Sequence, residues 1–585
     1  MIRKIVRQML TAQVFSALTV SLCLLIDSVM IARFLGEEAI AAYGLSNPLL
    51  LAIGAIGTLL AAGIQVTCSK SLGRGLQEET NAGYSSALVA TGAISAVFLV
   101  AALAFCSTLA NVMGADESPE LHAMTRDYLA GFSIGAPGSM GALVLIPFLQ
   151  MAGQSRLLIA AVLTMTVTDV GLDLLNVLVF NGGMFGMGLA SAISYYAAMA
   201  VSAIYFLSRD CVFRFSIRRV SWKKIKELFT SGVPMGFSMA ASVILILLIN
   251  HILLMLGGRE DAKCALAAFS VITPIGNAAQ CINTGIGGVS LTLSGIFYHE
   301  EDRRGLQEVI RLLCRHAVVL GLCMGILLLI FAPACIGLFI PNAGETQQLG
   351  ILGLRIFAAG LIPCCICSTL KNAYQATERT ILTEVISLVE GAAMPVVAAF
   401  VLSRFLGTTG VWLYYVVGET LTLLCIGLYI RWKTGRLPWQ DGAYLLLRDG
   451  FGAGPEDLME IEIHSLQEVT DAAEKAQEFC LMRSRDSHLG NRIALCIEEM
   501  AGNTIQYGFG DGKKHHLSVR ILHKKSYWVL RFRDDCGAFD PVHYIPRNEE
   551  DAMGIHLVLA LAEEARYTYS MNLNNLVLKL PEGNE

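Results

Sequence analysis

Long apolar stretches separated by short polar ones dominate the first three quarters of the chain. Runs of roughly 20 residues, the length that crosses a hydrocarbon core of about 30 Å, recur up to residue 436. The first run follows the basic start MIRKIVRQ without a small-residue cleavage site, which indicates a membrane span rather than a signal peptide. The pattern predicts twelve spans, at about 11–33, 45–68, 84–110, 128–149, 157–180, 186–208, 229–256, 265–297, 314–339, 350–370, 381–402 and 409–430.

The twelve predicted spans fall into two sets of six that resemble each other. Asp27 in LLIDSVM has a counterpart at Asn250 in LLINHIL, and Gln150 has one at Gln375, with offsets of 223 and 225. A strongly basic loop that starts at Arg209 separates the two sets. An even number of spans in each repeat gives both repeats the same orientation. We therefore expect a two-lobed transporter with halves at 1–222 and 223–436 and a cavity between them.

Composition and charge fix the surroundings of the chain. With 54% hydrophobic and 16% charged residues and a mean hydropathy of +0.58, a wholly soluble protein is excluded. The predicted inner segments carry 22 Lys and Arg and the outer loops six, which predicts a cell-membrane protein with both termini in the cytoplasm. No basic domain is present, so a nucleic-acid partner is not expected. Most of the 16 cysteines lie in apolar runs or in the C-terminal part and are expected to be reduced.

The composition changes after a linker at 437–455, and residues 456–585 have the pattern of a soluble α/β domain. Strands are predicted at 458–464, 517–522, 527–534, 566–571 and 575–580, with helices at 466–482, 486–507 and 554–565. The fold class is thus an α-helical polytopic membrane protein, twelve spans in two six-helix repeats, plus a C-terminal α/β sandwich. This domain holds 14 basic and 22 acidic residues, so we expect it to be attracted to the basic inner loop at 209–228.

Ionisable residues inside spans are costly and therefore mark function. Asp27 lies in span one, and span five carries Thr166, Asp169, Asp173 and Asn176 at spacings of three, four and three, which puts them on one helical face. Carboxylates in one poorly solvated pocket cannot all be ionised cheaply, so we expect them to take up a proton or bind a cation. The alternative is that each acid pairs locally and only fixes helix register.

The second half offers two further acids of the same kind, Glu390 in span eleven and Glu419 in span twelve. Either a coupling role or a local structural pairing fits their positions.

The runs LIDSVMIARFLGEEAIAAYGLSNPL, VTDVGLDLLNVLVFNGGMFGMGLASA and SGVPMGFSMAASV resemble the multidrug and toxic compound extrusion (MATE) family over about residues 1–436. That resemblance implies an antiporter that exports small organic, often cationic, compounds in exchange for H⁺ or Na⁺. Asp27 and positions 169 and 173 match the usual coupling residues, with Asp169 where an Asn is usual. The implied ion-coupling and substrate site comprises Asp27, Asp169, Asp173 and Asn176.

Three segments of the C-terminal domain together suggest nucleotide chemistry. Glu499 and Asn503 lie four apart on one helix face, where the amide suits Mg²⁺ and the carboxylate suits a catalytic general base. Asp535 ends a strand and is suited to accept from the adenine amino group, while Gly537 lets the backbone approach the base. Gly554 starts a helix whose N–H groups favour phosphate.

In this order, the segments resemble the GHKL ATP-binding fold, specifically the anti-sigma-factor serine kinases. The resemblance implies ATP and Mg²⁺ as cofactors and a phospho-acceptor protein as a possible partner. Ala552 and Met553 replace the usual glycines before Gly554, which favours nucleotide binding over efficient phosphoryl transfer.

Two functions remain open from the sequence. One is an ion-coupled exporter with a cytoplasmic ATP-binding regulatory domain, and the other is a membrane sensor whose C-terminal domain is a protein serine/threonine kinase. The linker contains no His, which disfavours a histidine kinase, and no GxxxxGK(S/T) loop exists to drive an ATP pump.

Overall fold

The computed structural model describes most of the chain. The residues outside the description are 1, 114, 116–117, 209–210, 257–258, 341–343, 449–450, 453, 455, 485, 511–513, 525–526, 545–552 and 583–585.

Long helices build the membrane part; a short π-helical turn at Asn176–Phe180 ends one of them, and another at Val389–Ala393 interrupts a second. In chain order the helices are α1 Ile2–Phe34, α2 Glu37–Gly73, α3 Gln77–Ala104, α4 Cys106–Val112, α5 Pro119–Ser133, α6 Ala136–Met151, α7 Ser155–Leu175, α8 Gly183–Leu207, α9 Trp222–Met255, α10 Arg259–Ala279, α11 Cys281–His299, α12 Arg303–Phe339, α13 Glu345–Ala359, α14 Leu361–Ala376, α15 Thr380–Leu388, α16 Met394–Trp412 and α17 Tyr414–Thr434.

Within the described residues, nine helices are long and apolar enough to cross a membrane, or eleven if each of two bent pairs counts as one span. The bent pairs are α5 with α6 and α13 with α14, each broken by 45° at corresponding places in the two repeats. Gly135 and Pro137 lie at the first break, Gly360 and Pro363 at the second, and both residue types weaken the backbone hydrogen bonding of a helix. The predicted twelfth span overlaps α17, which is not among these eleven, so twelve spans stays a prediction.

The two halves of the membrane part meet closely at one end, where α1 and α9 begin. A Cβ atom on Gly63 of α2 would lie 2.0 Å from the Leu228 carbonyl oxygen of α9, and one on Gly232 would lie 2.2 Å from the Leu59 oxygen. One hydrophobic core joins both halves here, whereas the described apolar residues nearer the other end form separate cores in each half. We call the joined end the closed end.

A five-stranded antiparallel sheet with helices on one face forms the C-terminal part. The strand order is β1-β2-β3-β5-β4. The predicted strands and helices coincide with observed elements to within about three residues, with two exceptions. The predicted helix at 486–507 has a π-helical last turn, and the predicted helix at 554–565 ends at Leu561. The elements are β1 Leu458–Ile463, α18 Leu466–Leu481, α19 Ser487–Asn503, β2 Leu517–Lys524, β3 Tyr527–Asp534, α20 Met553–Leu561, β4 Glu564–Ser570 and β5 Leu573–Pro581.

The two faces of this sheet have different neighbours. Trp528, Leu530 and Phe532 of β3 are buried in a hydrophobic core beneath the helices. The alternate residues Arg531 and Arg533 point the other way, because successive strand residues face opposite sides of a sheet, and they contact the closed end of the membrane part. We call the face that carries Trp528, Leu530 and Phe532 the helix face, and the face that carries Arg531 and Arg533 the docking face.

The predicted linker is packed against the second half. The Tyr374 hydroxyl donates to the Tyr444 carbonyl oxygen at 2.7 Å, and the Arg379 guanidinium donates to the carbonyls of Leu445 and Leu446. Residues 443–446 thus connect the two parts as an ordered strap.

Among the described residues, no ion pair joins the acidic domain to the basic loop at 209–228, so the expected attraction between them stays a prediction. Arg219 of that loop pairs with Glu78 at 3.0 Å, and Lys224 pairs with Glu79 at 3.2 Å, both at the start of α3. Two basic residues of the loop are thus paired with acids on the membrane part, and the described ion pairs of the domain with the membrane part involve other charges.

Candidate functional sites

The structure brings Asp27, Asp169 and Asp173 together between α1 and α7. The Asp27 carboxyl lies within hydrogen-bonding reach of both other carboxyls. The three are 5%, 4% and 0% exposed, so they form one buried cluster towards the end opposite the closed end. We call them the carboxylate trio.

Among the described residues, no cationic side chain pairs with the trio. Asp169 faces the hydroxyls of Ser191 and Ser194 on α8. Among the described groups, no hydrogen-bond donor reaches one oxygen of Asp27, one oxygen of Asp169 or either oxygen of Asp173. No described Lys, Arg or His is paired with these carboxylates. A carboxylate can only accept, so a proton, a bound cation or another donor from outside these groups would satisfy these oxygens.

Asn176 is buried one turn beyond Asp173, and its amide belongs to a turn. Its Nδ2 atom donates to the Gly183 carbonyl at 3.0 Å, and the Gly182 N–H donates to its Oδ1 atom at 3.1 Å. Asn176 thereby satisfies backbone groups where α7 ends and α8 begins.

The second half contains a buried charged cluster that includes Lys371, which the sequence analysis counted with the inner, topology-determining charges. Lys371 instead lies within α14, where its ammonium pairs with the Glu390 Oε2 atom at 2.8 Å. Ligand atoms of Cys364, Glu390 and Glu419 lie within 4.8 Å of one another. Cys364 and Lys371, seven residues apart, share a helix face, whereas Glu390 and Glu419 come from other helices.

In the C-terminal domain, Asp535 lies just past β3. Its Oδ1 atom accepts from the His516 N–H at 2.8 Å and lies 3.2 Å from His515 Nδ1, while Lys4 of α1 approaches Oδ2 at 3.4 Å. Burial alone would raise the pKa of Asp535, but these donors hold it below its ordinary value.

Asp534, which the sequence analysis passed over, takes the position on the helix face. It continues the alternation of Trp528, Leu530 and Phe532, so the strand period could have identified it. It accepts from Asn574 Nδ2 at 2.7 Å and from the Cys536 N–H at 3.0 Å. Burial raises its pKa.

Two of the other predicted nucleotide residues, Glu499 and Gly554, lie close to each other. A Cβ on Gly554 would lie 1.9 Å from Glu499 Oε2, so the start of α20 touches the Glu499 carboxylate. Asn503 ends α19, and the turn that follows approaches Cys536, because a Cβ on Gly508 would lie 2.9 Å from its Sγ atom.

Gly537 has open space beside it, because a Cβ atom at this position would meet no described atom beyond its chain neighbours within 4 Å. Ala552 lies outside the described residues.

Comparisons with known proteins agree with this architecture. The MatE family matches residues 13–175, a range that includes the carboxylate trio. The multidrug export protein MepA of Staphylococcus aureus is 22% identical over 412 residues, 68% of this chain and 87% of MepA. MepA of Staphylococcus saprophyticus is 23% identical over 409 residues, 69% of this chain and 88% of that protein.

Solved structures show the same fold. A MATE crystal structure superposes with a TM-score of 0.67 at 19% identity, covering 73% of this chain and 95% of that one. The Vibrio cholerae MATE transporter VcmN gives 0.65 at 17% identity, covering 76% and 98%. The membrane part therefore has the fold of MATE transporters, and the predicted helical membrane-transporter fold is confirmed.

Proposed function

We propose that the protein is an ion-coupled antiporter of the cell membrane that exports small organic, cationic compounds in exchange for H⁺ or Na⁺. The observation that carries this proposal is the buried carboxylate trio without a cation of its own. The MepA relatives, whose name describes multidrug export, and the MATE fold support it. Both termini are proposed to be cytoplasmic, so the closed end faces the cytoplasm.

The trio provides a direct basis for exchange. A proton or Na⁺ that enters from the end opposite the closed end neutralises the negative charge of the trio. Without it, this charge is costly to keep buried in a low-dielectric site. An organic cation and the coupling ion compete for the same charge, so entry of one favours release of the other. Coupling follows because each ligand shifts the balance between the two conformations that expose the trio.

Efflux from proteoliposomes under imposed pH and Na⁺ gradients tests the proposal. Wild-type protein should expel an organic cation when either gradient is applied, and Asp27→Asn should not. Asp127→Asn, the same substitution at an exposed acid paired with Arg126 on α5, is the matched control. Equal efflux by the wild type and Asp27→Asn would refute the coupling role.

We further propose that the C-terminal domain binds Mg²⁺-ATP and regulates transport. Asp534 and Asn574 would receive the adenine, Asn503 would hold Mg²⁺, and Gly554 would face phosphate. Glu499 would be the general base if phosphate is transferred to a partner protein. The close approach of Glu499 to Gly554 and the neutral donors around buried Asp534 support this part, and calorimetry of the full-length protein with Mg²⁺-ATP tests it.

The alternative, a membrane sensor with a serine/threonine kinase domain, predicts phosphate transfer to a separate protein. Incubation with labelled ATP and cell extract distinguishes the two functions, since the exporter needs no labelled product.

A further inference from the structure

Buried ion pairs join the docking face of the sheet to the turn between α11 and α12. Arg531 donates to the Glu300 carbonyl at 2.6 Å, Arg533 pairs with the Glu300 carboxylate, and Arg520 pairs with Asp302. All five residues are at most 9% exposed. These contacts are therefore a desolvated interface, unlike surface ion pairs that contribute little.

The same sheet also holds the first half of the transporter. The turn between β4 and β5 inserts at the end of α6, where the Met571 N–H donates to the Met151 carbonyl at 2.8 Å and Asn572 Nδ2 donates to the Gly153 carbonyl at 3.1 Å. Met571 is buried in the core that joins both halves. Beside it, Arg566 Nη1 donates to the Arg74 carbonyl after α2 at 2.9 Å.

The contacted segments belong to different halves. Met151, Gly153 and Arg74 lie in the first half, and Glu300 and Asp302 lie in the second, all at the closed end. We infer that the docking face is a clamp that ties the closed ends of the two halves together, and that it must release one half before this end can open.

Opening would separate these segments, because alternating access moves one half against the other. Separation would break either the ion pairs with Glu300 and Asp302 in the second half or the hydrogen bonds of Met571, Asn572 and Arg566 to the first half. The clamp therefore stabilises the conformation in which the trio is reached from the opposite end. Control of transport by the domain, which rests on the proposed function, follows from this preference.

Mild acid should not release the clamp. Burial alone would raise the pKa of Asp302, but Arg520, Arg531 and Arg533 hold it below its ordinary value. A carboxyl group whose pKa is lowered by folding contributes its full stabilisation at any pH above its unfolded pKa, which is about 3.9 for an aspartate. It loses that stabilisation only as the pH falls through the lower pKa of the folded state. The ion pairs with Asp302 therefore persist from neutral pH down to about pH 4.

Hydrogen exchange of the full-length protein in lipid nanodiscs tests the clamp. The variants are Arg533→Glu, Glu300→Arg and the double charge swap, with Lys475→Glu on exposed α18 as the matched control. Either single variant should speed exchange of residues 60–73 and 222–232, where the halves meet, by at least about tenfold. This increase is modest compared with the free energy lost when a buried ion pair is broken. The double swap should slow it again, and the control should resemble wild type.

Two outcomes would overturn the inference. If exchange at 300–302 and on the docking face rises while 60–73 and 222–232 stay protected, the docked sheet does not clamp the halves. If no variant changes exchange anywhere, the interface does not form. Exchange of β2 reports whether the domain stays folded, and Glu300→Arg, which changes only the membrane part, remains informative if Arg533→Glu unfolds it.

The readout also separates this inference from the proposed function. Failure of efflux in a gradient with normal exchange changes would refute antiport and leave the clamp intact. Normal efflux with unchanged exchange would refute the clamp alone.

Discussion

The two halves of the membrane part treat buried acids in opposite ways. The first half gathers Asp27, Asp169 and Asp173 without a cation among the described residues, whereas the second half places Lys371 against Glu390 beside Glu419. A carboxylate with its own ammonium group is already compensated. A carboxylate without such a partner can be neutralised by a proton or a cation from outside, so we propose that exchange depends on the first half and that the Lys371–Glu390 pair is structural.

The C-terminal domain repeats the same contrast within two adjacent residues. Asp535 has Lys4 and His515 beside it, whereas Asp534 has the neutral donors Asn574 and the Cys536 N–H. By the same reasoning, Asp534 is the acid that we propose to receive the amino group of adenine.

The largest expected effect breaks the comparison between the halves directly. Asp173→Asn should reduce gradient-driven efflux by more than about 100-fold, equivalent to about 2.7 kcal/mol on the barrier. Glu419→Gln should reduce it by less than about tenfold, since Lys371 and Glu390 remain a neutral pair. Efflux from proteoliposomes with equal amounts of inserted protein measures both. Similar losses in the two variants would show that both halves couple ions.

The second prediction tests the compensating role of Lys371. Lys371→Gln leaves Glu390 buried without its partner, and breaking a buried pair in this way costs about 3–5 kcal/mol. We expect a clear fall in the thermal unfolding temperature in detergent. Lys371→Gln combined with Glu390→Gln removes both charges and should recover most of that loss. A single variant as stable as wild type would mean that the pair contributes nothing to folding.

The third prediction compares the two adjacent aspartates. Asp534→Asn should weaken Mg²⁺-ATP binding to the full-length protein by about 1.5–3 kcal/mol, the contribution of a hydrogen bond to a charged group. Asp535→Asn should weaken Mg²⁺-ATP binding by less than about 1 kcal/mol, because Lys4, the partner of Asp535, is largely exposed. Calorimetry measures both affinities. A larger effect at Asp535 would return the adenine site to the residue that the sequence analysis selected.

The sequence predicted most of the architecture because spans and strands have strong periodic signals. The acids of the first half could also be found, since Asp169 and Asp173 share a helix face with spacing that needs no tertiary knowledge. The clamp could not be found from net charge. Arg531 and Arg533 are a minority in an acidic domain, and only the alternation of β3 concentrates them on one face against Glu300.

Lys371 and Asp534 were missed for different reasons. A Lys five residues before the end of α14 looks like an inner anchor until the fold brings Glu390 against it. Asp534 and Asp535 are the same residue type, and the alternation of β3, which the sequence analysis did not apply to them, determines which one faces the helices. For Lys371, by contrast, the deciding neighbour comes from a distant part of the chain.

The smallest expected effect sharpens the comparison within the trio itself. Asp169 faces the hydroxyls of Ser191 and Ser194, which can donate to an amide oxygen as well as to a carboxylate. Asp169→Asn should therefore keep the local hydrogen bonds, leave Asp27 and Asp173 able to share a cation, and reduce efflux by less than about tenfold. The measurable change is in stoichiometry: fewer coupling ions should move per organic cation, as measured by paired ion and substrate fluxes. An Asp169→Asn variant as inactive as Asp173→Asn would show that all three carboxylates act as one site, and that the third acid is part of the exchange rather than an addition to it.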